Sequence, residues 1–518
     1  MAEAAGVPNP GRWQGPGRRG DALALVAGAL LVFAFAPFHL LSLAVLSPAL
    51  LFWLWLPLTP RQAARRGFIF GIGFFLAGVH WVYVSIHVFG HTAAPLAALM
   101  TGLFVLVLAL YPALQGALSQ WLTRRVGQAA PAGETTVWAL LAIYPALWLL
   151  FEWLRGWLFT GFPWLLLGDA LGVSPLAGWA PLVGSLGLGG LAALSAGALV
   201  LLVIRRGRAR RRVLIGLLGG WLLSLPLLGV PWTQPAGEPV SVALPQGDVD
   251  QNEKWRPGAL DRILALYADK TRRAQAEADL IIWPETAIPA FYHRVAEDYA
   301  EPLAAEVAEA GGELLVGSPY REDDGRYYNT LLNPATGQVY RKRHLVPFGE
   351  YLPFERQLRG LIEFFDLPMS DFSAGDDGQP PLKAAGLELG VAICYEGAFP
   401  GLLREQLPAA GVLVNVSNDA WWGDTIGPHQ HLQIAAMRSL ESGRPQLRAT
   451  NNGITAAIDH RGRVVERLPQ FTVATLETEV TPRTGSTPYT VWGDRPMLLG
   501  IGLLLAGLLW ITRRNRPA

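Results

Sequence analysis

Gly390-Val-Ala-Ile-Cys-Tyr-Glu-Gly-Ala-Phe-Pro400 places the only cysteine of a 518-residue chain where an apolar run gives way to Tyr-Glu. A lone cysteine has no internal disulfide partner, so its reason is packing or reactivity. Leu387–Ile393 reads as a strand, and Cys394 stands at its end. The flanking sequence has the same alternating character. Val240-Ser-Val-Ala-Leu244, Leu280-Ile-Ile-Trp283, Glu313-Leu-Leu-Val316 and Val412–Val416 read as strands, the second short and continuous enough to be buried on both faces. Tyr328–Leu332 and Gln338–Arg341 flank the turn Pro334-Ala-Thr-Gly337, and Ile454–Ile458 pairs with Arg463–Arg467 across Asp459-His-Arg-Gly462. Helical patterns fall at Pro257 to Ala278, Glu301–Ala310 and Gln430–Ser442. Strands with interspersed helices predict a layered α/β domain.

Outside that region the composition changes. The whole chain is 51% hydrophobic and 16% charged, where a soluble protein has about a quarter charged. Residues 21–231 and 491–512 are dominated by apolar runs, whereas 238–488 has ordinary globular composition. Spans of about 20 apolar residues mark membrane helices, and eight candidates fall near 22–37, 41–57, 67–88, 94–121, 136–157, 181–204, 213–230 and 491–512. The expected order is a leader (1–20), spans one to seven (21–231), an outer domain (232–490) entered through the linker Trp232–Pro239, an eighth span (491–512) and a short tail (513–518). A cleaved signal peptide at 1–37 is disfavoured, because further spans follow.

Basic residues orient the chain. Arg12, Arg18 and Arg19 precede span one; Arg61, Arg65 and Arg66 lie between spans two and three; Arg124 and Arg125 follow span four. The run Arg205–Arg212 separates spans six and seven, and Arg513, Arg514 and Arg516 follow span eight. All five clusters fall on one side if eight spans alternate, and the positive-inside rule makes that side cytoplasmic. Both termini are then inside and residues 231–490 outside. A net charge of +1 gives no reason to expect nucleic acid.

Three polar residues sit where strands run out: Glu285 after Leu280–Trp283, Lys342 after Gln338–Arg341, and Cys394 after Leu387–Ile393. Strand ends are where open α/β sheets place their sites. A thiol of ordinary pKa is mostly protonated at neutral pH and needs a base or a cationic neighbour. A carboxylate can take that proton and return it to a leaving group, and an ammonium can stabilise a thiolate or an oxyanion. Each residue alone has a blander reading: a buried filler thiol, a solvated lysine, a turn glutamate.

Together the motifs are more specific. Trp283-Pro-Glu-Thr-Ala-Ile-Pro289, Lys342 ahead of His344-Leu-Val-Pro-Phe-Gly-Glu350, and Ile393-Cys-Tyr-Glu396 resemble the Glu–Lys–Cys signatures of the nitrilase (carbon–nitrogen hydrolase) superfamily. Pro368-Met-Ser-Asp-Phe372, Ser417-Asn-Asp-Ala-Trp-Trp-Gly423, Arg448-Ala-Thr-Asn-Asn-Gly453, Glu152-Trp-Leu-Arg-Gly156 and Thr160-Gly-Phe-Pro-Trp164 narrow the resemblance to the apolipoprotein N-acyltransferases. It implies a membrane bundle of about eight helices plus an extramembrane αββα nitrilase-like sandwich, in the bacterial inner membrane with the catalytic domain periplasmic. It also implies Cys394 as nucleophile and acyl carrier, Glu285 as proton acceptor, Lys342 as oxyanion stabiliser, and Glu350, Tyr395 and Glu396 as support. Trp255 matches a tryptophan of the lipid-facing entrance, and Asn418 and Trp421 are expected to shape the substrate site. The implied donor is phosphatidylethanolamine or another phospholipid, and the acceptor is a diacylated apolipoprotein; no cofactor is implied. Gly397-Ala-Phe-Pro400 departs from the more aliphatic stretch of the family.

Two other classes compete. A membrane-tethered amidase would use the same triad with water, but has no need of many spans. A transporter would carry charges within its spans, and there the sequence offers chiefly Glu152 and Arg155. The pairs His87/His91 and His429/His431 lack a complementing carboxylate or thiol at metal-site spacing, so no metal is expected. Arg438, Glu441 and Arg444 read as ion pairs along a helix, and the Gly- and Asp-rich stretch Ser370–Gln379 as a lid or a surface loop.

Overall fold

The structure is a computed structural model, and it describes residues 13–129, 131, 133–351 and 371–514. The described residues form two compact units, one from within 1–83, 94–230 and 492–518, the other from Val84–Ala93 and Pro231–Val491.

The first unit is helical. Four of its described helical stretches are long and apolar enough to cross a membrane: Ala94–Ala129, Thr135–Arg155, Pro175–Ile204 and Arg495–Arg514. A fifth passes only if Pro60–Gly78 is joined to Trp81–Phe89 across a bend. The expected count of eight is not reached by this measure, for reasons visible in the sequence. Arg18–Leu31 and Leu43–Trp55 are 14 and 13 residues long, and Gly207–Leu222 opens with the arginine run. Close approach is bought with glycine: a Cβ on Gly28 would lie 2.0 Å from the Phe70 carbonyl oxygen, and one on Gly67 2.1 Å from that of Pro112. Arg66 is 1% exposed, faces Asp21 and donates to the carbonyls of Gln14, Gly15 and Leu54, so its charge is consumed inside the unit. Glu152 and Arg155, weighed above as a transport path, brace the chain that follows their helix. Glu152 accepts from the Leu167 N–H at 2.9 Å, and Arg155 donates to the Phe162 carbonyl at 2.9 Å and to that of Trp164.

The second unit opens with β1 (Thr233–Pro235), paired antiparallel with β14 (Arg483–Gly485), so the expected linker is in part a strand. One six-stranded sheet contains β2 (Val240–Gln246), β3 (Leu280–Ile282), β4 (Glu313–Arg321), β5 (Tyr327–Leu332), β6 (Val339–Arg341) and β13 (Ala474–Val480), in the order β13-β2-β3-β4-β5-β6. The other contains β7 (Leu382–Ala384), β8 (Leu387–Ile393), β9 (Val412–Ser417), β10 (Gln446–Thr450), β11 (Ala456–Ile458) and β12 (Val464–Arg467), in the order β12-β11-β10-β9-β8-β7. β2, β3 and β4 run parallel, as do β8, β9 and β10.

Alternation along the strands builds the layers. Val242, Leu244, Leu280, Ile282 and Leu315 of one sheet share a core with Leu389, Val391, Ile393, Val412, Val414 and Leu447 of the other. The opposite face of the first sheet, with Ala243, Ile281, Leu314 and Val316, packs on the helices Ala259–Ala274 and Glu301–Glu309. The second sheet carries Pro400–Gln406 and Gly427–Ser442 on its outer side, through Ala392, Leu413, Ala456 and Ile458. Parallel strands buried on both faces end together, and the chemistry of the unit collects at those ends.

Candidate active site

β8 ends in a short helical turn, Cys394–Ala398, and Cys394 has φ +53°. A non-glycine residue rarely occupies that left-handed region, and keeping it there requires over-determining contacts. Several are present. The Cys394 carbonyl accepts from His431 Nε2 at 3.1 Å and from Asn415 Nδ2 at 3.4 Å. The Glu396 carboxylate reaches back to accept the Ile393 N–H at 2.7 Å. The backbone is thereby folded away, and the half-buried Cys394 stands at the tip of the turn.

Glu396 also ties this turn to the lysine segment. Its Oε1 accepts the N–H groups of Arg343 and His344 at 2.6 and 3.1 Å, and the Tyr340 hydroxyl lies 3.2 Å from Oε2. Burial pushes its pKa up while those donors pull it back. Tyr395, buried beside Glu396, sets its ring edge-on to Phe399 at 5.0 Å.

Lys342 extends β6 by one residue, its N–H donating to the Asn329 carbonyl at 2.8 Å. The side chain is buried, with Nζ 2.8 Å from Glu350 Oε1 and 3.2 Å from Glu285 Oε1. Asn329 Nδ2 donates to the same two oxygens, at 3.0 and 2.7 Å. The remaining oxygens are held by backbone: Glu285 Oε2 by the Asn418 N–H and Glu350 Oε2 by the Val346 N–H, each at 2.8 Å. Burial works against the Lys342 charge, but Glu285 and Glu350 outweigh it and raise its pKa. Lys342 is a fixed ammonium between two carboxylates.

The Cys394 thiol interacts electrostatically with both Glu285 and Lys342. Burial and the Glu285 charge raise its pKa well above that of a free thiol, with Lys342 and the Ser417 hydroxyl opposing. The thiol therefore keeps its proton at neutral pH.

Behind Cys394 lies a second buried cluster. Asp419 faces His431 Nδ1 at 3.0 Å and Arg448 Nη2 at 2.7 Å, and accepts from Ser417 Oγ at 2.6 Å. Burial opposes the Asp419 charge, yet Arg448 and His431 hold its pKa far below the usual carboxylate range. Burial, aided by Arg448, lowers that of His431. Gly453 approaches so closely that a Cβ there would lie 2.4 Å from Asp419 Oδ2.

The sequence-predicted residues therefore divide. Glu285 and Glu350 both contact Lys342, and the Cys394 thiol interacts electrostatically with Glu285 and Lys342. Glu396 braces backbone. Asn418, expected at the substrate, is engaged by the protein: its amide donates to Gln251 Oε1 at 2.8 Å and accepts from Asn451 Nδ2 at 3.0 Å. Trp421 and Trp255 are each partly buried, and the Trp421 carbonyl accepts from Ser85 Oγ at 2.8 Å. Arg438 pairs with Glu441 at 2.9 Å, and Arg444 caps the carbonyls of Ala410 and Gly485. Of the stretch 370–379, Ser370 lies outside the described residues. The remainder is fastened to the lysine segment, through Gly375 N–H to the Lys342 carbonyl and Gln379 to Arg341. In Pro368–Phe372, residues 368–370 also lie outside the described residues. Sequence reasoning missed Asn329 and Lys254, and weighed His431 only as a metal ligand. Asn329 is a buried amide inside β5, Tyr327-Tyr-Asn-Thr-Leu-Leu332, and the polar step it makes in that strand is the local signal it offered.

Two family profiles match: carbon–nitrogen hydrolase over residues 241–489, and the apolipoprotein N-acyltransferase N-terminal domain over 27–198. The apolipoprotein N-acyltransferase of Methylococcus capsulatus is 46% identical over 96% of this chain and 97% of its own length. That of Azotobacter vinelandii is 46% identical over 97% of each. Among solved structures, the Caenorhabditis elegans NitFhit protein matches 51% of this chain and 65% of its own at 17% identity, with a TM-score of 0.38.

Proposed function

Because the chain belongs to the apolipoprotein N-acyltransferase family, we propose that Cys394 carries an acyl chain from a phospholipid to the N-terminal amine of a lipoprotein. The donor is the sn-1 ester of phosphatidylethanolamine. Glu285 takes the Cys394 proton, and sulfur attacks the ester carbonyl. Collapse of the tetrahedral intermediate breaks the C–O bond, and Glu285 returns the proton to the departing lysophospholipid. In the second half, the α-amine of a diacylglyceryl cysteine attacks the thioester, its proton passes to Glu285 and then to sulfur, and the thiol is restored. Lys342 faces the oxyanion of each intermediate; Glu350 and Asn329 hold Lys342 and Glu285 in register. Trp255 and Trp421 border the lipid entrance. The location that suits two membrane-anchored substrates is the inner membrane, spanned eight times, with both termini cytoplasmic and the αββα domain periplasmic.

The observation that carries this reading is the convergence of Glu285, Lys342 and Glu350 beside a cysteine held at positive φ. The purified protein is incubated with phosphatidylethanolamine, digested, and analysed by mass spectrometry. A hydroxylamine-sensitive acyl group on the Cys394 peptide, discharged by a diacylated lipopeptide, is expected. Absence of the adduct, or its persistence in Cys394→Ala, overturns the scheme. Discharge by water alone makes the enzyme a hydrolase.

A further inference from the structure

Arg448 is a fully buried arginine in the middle of β10, and the reaction scheme gives it no task. The strand registers set its neighbours. It stands opposite Asn415 of β9, and Asn415 stands opposite Ala392 of β8, two residues before Cys394. Partners in register point to the same face of a sheet. On the outer side of this one the helix Gly427–Ser442 supplies His431, and the turn after β9 supplies Asp419.

Two hydrogen-bonded lines leave the guanidinium and end on one atom. In the first, Arg448 Nη1 donates to Asn415 Oδ1, and Asn415 Nδ2 donates to the carbonyls of Ala392 at 3.0 Å and Cys394 at 3.4 Å. In the second, Arg448 Nη2 donates to Asp419 Oδ2 at 2.7 Å and lies 2.9 Å from His431 Nδ1, which Asp419 Oδ1 flanks at 3.0 Å. The other ring nitrogen, Nε2, is 3.1 Å from the Cys394 carbonyl oxygen. A carbonyl oxygen only accepts, so Nε2 carries the proton of that bond. Gly397 leaves the approach open: a Cβ there would lie 3.3 Å from Asn415 Nδ2 and 3.9 Å from His431 Nε2.

All four polar side chains are buried. Such a network is tolerated only while each member is satisfied, and apolar residues would fill the same layer without that condition. The carbonyl on which both lines end belongs to the residue at φ +53°. Cys394 Cα carries that carbonyl and also the Cβ that bears the sulfur. On the strand side the chain is held by β8, paired with β9 as far as Ile393 and Val416. Fixing the carbonyl as well sets the direction of the Cα–Cβ bond. Released, the residue relaxes towards the negative φ that side-chain-bearing residues favour, and the sulfur moves with it.

We propose that His431 is a positioning residue for acyl transfer: fixed by Arg448 and Asp419, it holds the Cys394 carbonyl and so aims the sulfur in both half-reactions. This rests on the reading of Cys394 as acyl carrier.

The test measures Cys394 thioester formation from phosphatidylethanolamine, and its discharge to a diacylated lipopeptide, in wild type, His431→Leu, His431→Gln, Arg448→Lys and Cys394→Ala. His431→Leu slows thioester formation at saturating phospholipid on the order of 100-fold, the cost of displacing a reacting atom by about 1 Å. It slows discharge by a similar factor and leaves KM for the phospholipid unchanged. His431→Gln, whose amide can donate to the same carbonyl, recovers most of the rate. Arg448→Lys keeps a positive charge beside Asp419 but cannot feed both lines, and falls between the two. A folded His431→Leu that acylates at the wild-type rate overturns the proposal, and so does a raised KM, the mark of a substrate contact. Equal rates in His431→Leu and His431→Gln also overturn it, since a merely structural role does not depend on the donor. Where His431→Leu does not fold, a wild-type rate in Arg448→Lys overturns it. If Cys394→Ala still transfers an acyl chain to the lipopeptide, the acyl-carrier reading falls and takes this one with it. If Cys394→Ala is inactive and His431→Leu acylates normally, the His431 role alone is wrong.

Discussion

One added methyl group tests how the second unit positions its carboxylate. Gly317 lies within β4, and a Cβ built there would stand 2.1 Å from the Pro284 carbonyl oxygen and 2.9 Å from the Glu285 Cα. An ordinary carbon–oxygen contact needs about 3.3 Å, so Pro284–Glu285 or β4 must retreat by roughly 1 Å. Neither can yield easily. Trp283 N–H donates to the Leu315 carbonyl at 2.9 Å and Ile288 N–H to that of Gly317 at 3.1 Å, so both ends of the Glu285 segment are tied to β4. The displacement is therefore delivered to Glu285, whose Oε1 is 3.2 Å from Lys342 Nζ. A misplacement of about 1 Å in a reacting group costs on the order of 100-fold in rate, and overpacking costs about 1–3 kcal/mol of stability. Gly317→Ala is expected to form the Cys394 thioester about 100-fold more slowly, measured by intact-protein mass spectrometry at saturating phosphatidylethanolamine. A folded Gly317→Ala protein, judged by its thermal transition, that acylates at the wild-type rate would refute the placement of Glu285 as the proton acceptor.

Glu396→Gln substitutes an NH2 for one oxygen of a carboxylate that accepts the Ile393, Arg343 and His344 N–H groups. At least one backbone donor then faces another donor, a loss of about 1.5–3 kcal/mol per charge-assisted bond, so both Tm and the acylation rate should fall; an unchanged Tm would contradict the bracing role. Lys254 also makes a pH prediction for stability. Its folded pKa, about 8, lies below the unfolded value, so between the two the unfolded chain binds more protons and stability rises with pH. Its contribution to Tm should therefore increase from pH 8 towards 10, and Lys254→Met, compared with wild type across that range, should lack that increment; equal slopes in the two proteins would be the contrary result.

The strand that ends at Cys394 was legible because it is apolar throughout and bounded by a polar step, and its observed limits, Leu387–Ile393, are those the pattern predicts. Glu285 and Lys342 were legible by the same rule. β10 was not, because Gln446-Leu-Arg-Ala-Thr450 looks like exposed chain; its buried Arg448 is tolerable only because Asp419, distant in sequence, neutralises it. β13 was missed although Leu476 and Val480 are buried while Glu477 is exposed, a partial alternation hidden by the polar residues between them. The segment after Gly78 continues the apolar pattern, yet Val84–Ala93 belongs to the second unit, where Phe89 lies edge-on to Trp421 at 6.3 Å. Hydropathy registers that a side chain is apolar, not which surface it covers. His431 was noticed only as half of a histidine pair, since its partners, Cys394, Asp419 and Arg448, come from three separate stretches of sequence.

The raised thiol pKa of Cys394 suits the two-step transfer proposed for it. In the resting cluster the Glu285 and Glu350 carboxyl groups both lie against Lys342. Moving the thiol proton to Glu285 shifts one negative charge from oxygen to sulfur, and both positions interact with the same ammonium. The net charge of the buried cluster does not change, so the step needs no counter-ion and little reorganisation. A free thiolate would be a good nucleophile but also a good leaving group from its own thioester, and an easy target for oxidants. Holding the proton on sulfur until a carbonyl is in place avoids both. In the proposed scheme the same shuttle runs in reverse when an amine enters, with Glu285 receiving the amine proton and sulfur leaving towards it. Nothing in that exchange distinguishes an amine from water. The preference for a lipoprotein acceptor must therefore lie outside the charge cluster, in whatever admits a lipid-bearing amine and keeps water from the thioester, and substitutions at Trp255 and Trp421 should alter the ratio of transfer to hydrolysis more than the rate of acyl-enzyme formation.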